Sequence, residues 1–261
     1  MKIREIVAPL EEFAPLAYQE SYDNAGLIVG NAEDGVDSAL LCVDATEEVL
    51  DEAERLGVKL VISHHPIIFH ALKRFNGKSY VEKVVERAIR KGIALYACHT
   101  NLDSAPGGLS FRLGEALGLN DLEMLAHPAP DTPNGFGVIG TLDEPVPVID
   151  FLHRVRKNLN VKVVRHSDIL SDTVRRIALC GGAGAQLIPA ARDAGADLFI
   201  AADFKYNDFM LGGERFIVAD IGHFESEFCA IDLMYDIISK KIATFALHKS
   251  RSSRNPVNYL V

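Results

Sequence analysis

The chain has 261 residues, 48% hydrophobic and 24% charged, with a formal net charge of -9 and four cysteines. That is the profile of a folded globular chain with a sizeable core, long enough for one large domain or two of medium size. It excludes a helical bilayer span, because no apolar run approaches the ~20 residues one needs, and it argues against a protein built mainly to grip phosphodiester backbones.

The N-terminal stretch MKIREIVAPLEEF has early acidic residues and no apolar signal core, so a cytoplasmic location is expected. None of Cys42, Cys98, Cys180 and Cys229 forms a C-x-x-C pair. Buried thiols in a reducing compartment are the expectation, with Cys98, beside His99, kept as a candidate ligand or reactive thiol.

Taken in chain order, VDATEEVLDEAERLG reads as a helix with Asp44 as N-cap, Glu47 three residues on and a closing glycine. VKLVISHH follows as an apolar strand that ends in His64 and His65 and is stopped by Pro66. SYVEKVVERAIRKG sets apolar residues at 81, 84, 85 and 88, one face of a helix. IALYACHTNLD is the next strand, again ending in polar residues.

AHPAPDTPNGFG, residues 126–137, is rich in proline and glycine and reads as a linker. Beyond it FGVIGTL, VKVVRHS, RRIALC, DLFIAA and RFIVAD supply strands for a second sheet. Continuous apolar runs of this kind suit strands covered on both faces, as in parallel sheets with helical crossovers. The expected architecture is two α/β domains, 1–128 and 129–261, with the C-terminal helix a candidate to pack back on the first. LCGGAGAQLIP sets glycines between a strand and a helix. A tight turn is the leading reading and a cradle of backbone N–H groups for an anion the alternative.

In open α/β sheets, ligands gather beyond the carboxyl ends of strands. His64 and His65 follow LVIS, Asp103 follows ALYACHTNL, and His223 follows FIVADIG with Glu227 four residues later. Imidazole and carboxylate are the ligands that borderline divalent metals accept. His223 and Glu227 share a face if a helix starts at residue 223. Successive side chains of a regular strand point to opposite faces. A splayed strand end can instead aim His64 and His65 at two neighbouring ions. With Asp103 and a bridging Glu227, this makes two partial shells ~3.5–4 Å apart with room for water. Glu227 and His99 are the candidate catalytic groups, His99 by moving a proton or orienting Asp103, with plain packing as its alternative. Lys205 and Tyr206, after another strand end, are candidates to meet substrate charge.

The blocks SYDNAGLIVG, LLCVDAT, ISHHPIIF, HTNLD, CGGAG and GHFESE occur in this order over nearly the whole chain. In them the sequence resembles the NIF3-like proteins, also named GTP cyclohydrolase 1 type 2 homologs. The resemblance implies an α/β fold of two domains with a dinuclear metal site in the cleft between them. It implies two divalent ions per subunit (Zn, Fe, Mn or similar), one on His64 and Asp103, the other on His65 and His223, with Glu227 bridging. It also implies a homohexamer built as a trimer of dimers, attack on the guanine ring of GTP, and Asp23 or Asn24 bordering the site. Tyr22 stands where such proteins commonly have tryptophan, and Asn207 where many have histidine.

The residues themselves select no substrate. Hydrolysis of GTP or another nucleotide or phosphate compound by a metal-activated water is the leading reading. A non-catalytic metal-binding or metal-handling scaffold in a hexameric ring is the alternative. A ring around nucleic acid fits the acidic balance poorly.

Overall fold

Helix and strand alternate along the chain as the apolar spacing sets them. A computed structural model describes residues 1–213 and 215–260. The first elements are α1 (Ile3–Phe13), β1 (Gly26–Val29), β2 (Ser38–Cys42), α2 (Glu47–Leu56), β3 (Leu60–Ser63), α3 (Tyr80–Lys91) and β4 (Ala94–Ala97). β3 and β4 are buried at every residue, as their continuous apolar runs require. α3 turns Val84, Val85 and Ala88 inward and ends at Gly92, whose φ of 60° is a left-handed cap that glycine adopts at little cost. These residues join Leu40, Leu50, Val61 and Leu95 in one core.

The start of α2 corrects the expected cap. Thr46, not Asp44, is the N-cap, and its side chain accepts the Val49 amide. Asp44 is drawn instead to His65. Thr46→Ala should therefore destabilise the protein by about 1 kcal/mol, read as a lower midpoint in urea with an unchanged slope.

α4 (Thr100–Ser104), α5 (Leu109–Leu117), β5 (Asn120–Ala126), β6 (Phe136–Pro147), α6 (Val148–Asn158), β7 (Arg165–His166), β8 (Thr173–Ala183), α7 (Ile188–Asp193), β9 (Leu198–Ala202), β10 (Ile217–Asp220) and α8 (His223–Glu227) follow. Their sheet runs β5-β6-β8-β9-β10-β7. β8, β9 and β10 are parallel, and the other pairings are antiparallel. The second sheet is thus mixed, where its apolar runs alone suggested a parallel one.

The chain then returns through α9 (Ala230–Lys241) and β11 (Ala246–Lys249). α9 packs on α1. β11 lies parallel to β2 and completes a first sheet ordered β1-β4-β3-β2-β11, in which only β1 is antiparallel. The architecture is mixed α/β with two sheets.

Contacts divide the chain into two compact units, Met1–Leu102 with Ala230–Arg254, and Asp103–Cys229 with the residues from Asn255 on. This division differs from the expected boundary at 128/129. The proline-rich segment joins β5 to β6, which pair as an antiparallel hairpin with Met124 opposite Val138 and Ala126 opposite Phe136. Proline and glycine mark a hairpin loop as readily as a linker. The glycine block also differs from the tight-turn reading, since Gly181 and Gly182 are residues of β8 itself.

Candidate metal centre

In the first unit, His64 and His65 stand directly beyond the end of β3. Their amides still pair with the chain of β2, to Cys42 O at 3.0 Å and Val43 O at 2.9 Å. Their rings then part. His64 Nδ1 lies 2.9 Å from the carbonyl oxygen of Cys98, just past β4, and His65 Nδ1 lies 2.8 Å from Asp44 Oδ1, just past β2. Each histidine leans toward a different neighbouring strand, with ring centroids 5.0 Å apart. This is the splay that two successive imidazoles at a strand end demanded.

His99 brings a third ring, 5.3 Å from each of the other two, and its Nδ1 lies 2.7 Å from Asp23 Oδ1. A carbonyl or carboxylate oxygen only accepts, so Nδ1 carries the proton in all three rings. Nε2 then holds the lone pair, the tautomer that ligates a metal. The ligating atoms of His64, His65 and His99 lie within 4.8 Å of one another, so this group could hold an ion. Burial disfavours the charge of Asp23. Hydrogen bonds from His99, Thr100 and the Asn24 amide outweigh it and hold the carboxyl down at about 2. Cys98 contributes its backbone carbonyl, while its thiol is buried and accepts from Asn101.

In the second unit, α8 starts at His223, as the four-residue spacing required, and His223 Nε2 lies 3.0 Å from Glu227 Oε2. His223 Nδ1 lies 2.7 Å from Asp203 Oδ2. Burial works against charge on this ring. The Glu227 and Asp203 carboxylates override it and push the imidazole up to about 9.

Gly182 makes the space for Glu227. Its φ is +63°, and a methyl group built there would stand 2.1 Å from Glu227 Oε1 and 3.4 Å from His223 Cε1. Ser226 ties these elements, its Oγ accepting the Gly182 amide at 2.9 Å and donating to His223 O at 2.8 Å. Asp103, in α4, lies near Cys180. Burial, then the charges of Asp103 and Glu227, push that thiol up to about 12.

The structure thus groups His64 and His65 with His99, and His223 with Glu227, each inside one unit. Sequence reasoning passed over Asp44 and Asp203, the carboxylates behind His65 and His223. Their signal was present, since both are strand-end aspartates, in LLCVD and AADF, and Asp203 takes a left-handed φ of 59°. Lys205, Tyr206 and Asn207 are exposed, and the Lys205 amide donates to Asp208 in a local turn.

The sequence profile of the family described as Duf34/NIF3 (NGG1p interacting factor 3) matches residues 1–256. A Clostridium perfringens protein named GTP cyclohydrolase 1 type 2 homolog is 30% identical over 264 residues, covering 100% of both chains. A Lactococcus lactis protein of the same name is 31% identical over 262 residues, covering 98% of each. Among solved structures, a Bacillus cereus protein related to NIF3 superposes with a TM-score of 0.89 at 25% identity, covering 100% of this chain and 99% of that one.

Proposed function

The chain belongs to the Duf34/NIF3 family, and on that footing we propose that it is a metal-dependent hydrolase with a two-ion centre. In this reading both units supply donors to the centre. One ion would be held by His64 and Asp103 and the other by His65 and His223, with Glu227 shared by both. One observation carries the proposal. His64, His65, His99 and His223 each have Nδ1 set against an oxygen, of Cys98, Asp44, Asp23 and Asp203 respectively. Metal-ligating histidines almost always donate this ring N–H to such an oxygen, which fixes ring orientation and raises the basicity of Nε2.

A pair of bound divalent ions would polarise the substrate and lower the pKa of a water toward ~7. The chain's own residues do the rest. Asp44, Asp23 and Asp203 hold the rings in place. Glu227, only 3% exposed and backed by Gly182, is fixed before substrate arrives. His99, paired with Asp23, is poised to take and return a proton.

The names of the relatives point to GTP, and the substrate proposed is GTP or another nucleotide or phosphate compound. A homohexamer and a cytoplasmic location belong to the same proposal. Among the described residues, no helix is long and apolar enough to cross a membrane.

Protein loaded with Mn or Zn and then dialysed should retain about two ions per chain. Glu227→Gln should lower that content and abolish hydrolysis of GTP. A native chain that holds less than one ion refutes the centre. Full metal content with no turnover on a nucleotide panel would favour the scaffold.

A further inference from the structure

Tyr22 and Phe69 are exposed at 61% and 40%, beside the histidine cluster of the first unit. Single exposed aromatics are ordinary. These two are paired, with ring centroids 6.0 Å apart and planes at 56°, and Phe69 stands edge-on to His99 at 6.1 Å.

The pair is held by a built frame. Asn24 Nδ2 donates to the Ile68 carbonyl at 2.7 Å, which fastens the segment of Tyr22 to that of Phe69. Asp23, between Tyr22 and Asn24, accepts from the Thr100 amide at 3.0 Å and lies 2.7 Å from His99 Nδ1. The aromatic corner is thus pinned to a ring of the candidate metal centre. The segment that continues from it, ALKRFNGKS, carries Lys73, Arg74 and Lys78, all exposed, and no acidic residue, in a chain whose net charge is -9.

Aromatic faces accept flat rings with little regard to their edge pattern, and neighbouring cations accept phosphate. Resting on the hydrolase reading above, we infer that Tyr22 and Phe69 form the platform on which the heterocyclic base of a nucleotide stacks, next to His99. Lys73, Arg74 and Lys78 meet its phosphates. The base, rather than the phosphate chain, is then the part of the ligand that lies nearest the histidines.

The chain contains no tryptophan, so Tyr22→Trp gives a single reporter that keeps an aromatic plane in place. Guanosine monophosphate should quench its fluorescence saturably, and ribose 5-phosphate, which has the phosphate but no base, should not. Adding Phe69→Ala should weaken the guanosine monophosphate titration by about tenfold without changing metal content measured on the same samples. Equal response to the two ligands, or unaltered affinity after Phe69→Ala, overturns the platform. The hydrolase reading fails separately, on metal stoichiometry. Quenching that persists in a protein unable to hold metal would sink that reading and leave the platform standing.

Discussion

Replacing Gly182 by alanine is expected to lower both the melting temperature and the metal content of the protein. Two effects act together. At φ +63° a β-carbon meets left-handed strain, which costs ~1–2 kcal/mol. The same β-carbon would stand 2.1 Å from Glu227 Oε1, so the carboxylate must move. Crowding of that kind adds about 1–3 kcal/mol. Gly57→Ala separates the two, because Gly57 has φ +71° and nothing within 4 Å of the added carbon. The Gly57 variant should lose about 1 kcal/mol and keep its full complement of metal. The Gly182 variant should lose more and retain at most about one ion per chain. Wild-type metal content in Gly182→Ala would remove Glu227 from the ligand set.

Glu52→Ala is expected to be the most destabilising change far from the metal groups, by about 3 kcal/mol in neutral buffer. Glu52 lies on α2 and is 4% exposed. Its carboxylate accepts from Ser250 Oγ at 2.7 Å and from the amides of Arg251 and Ser252, each at 3.0 Å. Alanine leaves the buried Ser250 hydroxyl and the Arg251 amide without this acceptor, while the Ser252 amide keeps Ser250 Oγ at 3.1 Å. Burial raises the pKa of this group, but the bonds from Ser250, Arg251 and Ser252 outweigh it and the folded value lies below the ordinary one.

The sign of the pH effect follows. A depressed carboxyl stabilises the fold fully above its unfolded pKa of about 4.3, and the gain fades as pH falls through the lower native value. The difference in stability between wild type and Glu52→Ala should therefore be largest near neutrality and shrink below about pH 4. Parallel urea curves at two pH values measure it. A gap that widened on acidification would contradict the assignment.

Much of the fold and of the candidate centre was legible where local periodicity and final position agree. LVIS and LFIAA became fully buried strands, and the residues at 84, 85 and 88 became the inner face of α3. His223 and Glu227 lie on one helix face because a four-residue spacing is a local property. What failed depended on distant partners. Asp44 has the chemistry of a cap, yet the ring of His65 claims it across two strands. Local spacing likewise gives no sign that Asp23 will hold His99 beside the other histidines. The 126–137 segment has the composition of a linker, and no composition rule shows that Met124 will pair with Val138.

The late arrival of β11 carries a consequence for synthesis. Ala246–Lys249 lines up with Ser38–Leu41, so one flank of β2 stays bare until residues 246–249 have themselves left the ribosome. A naked strand margin of that sort invites pairing with another molecule, and bringing together segments so remote in sequence is slow. Nascent chains stalled before Ala246 should therefore be the species most prone to aggregate and most dependent on chaperones.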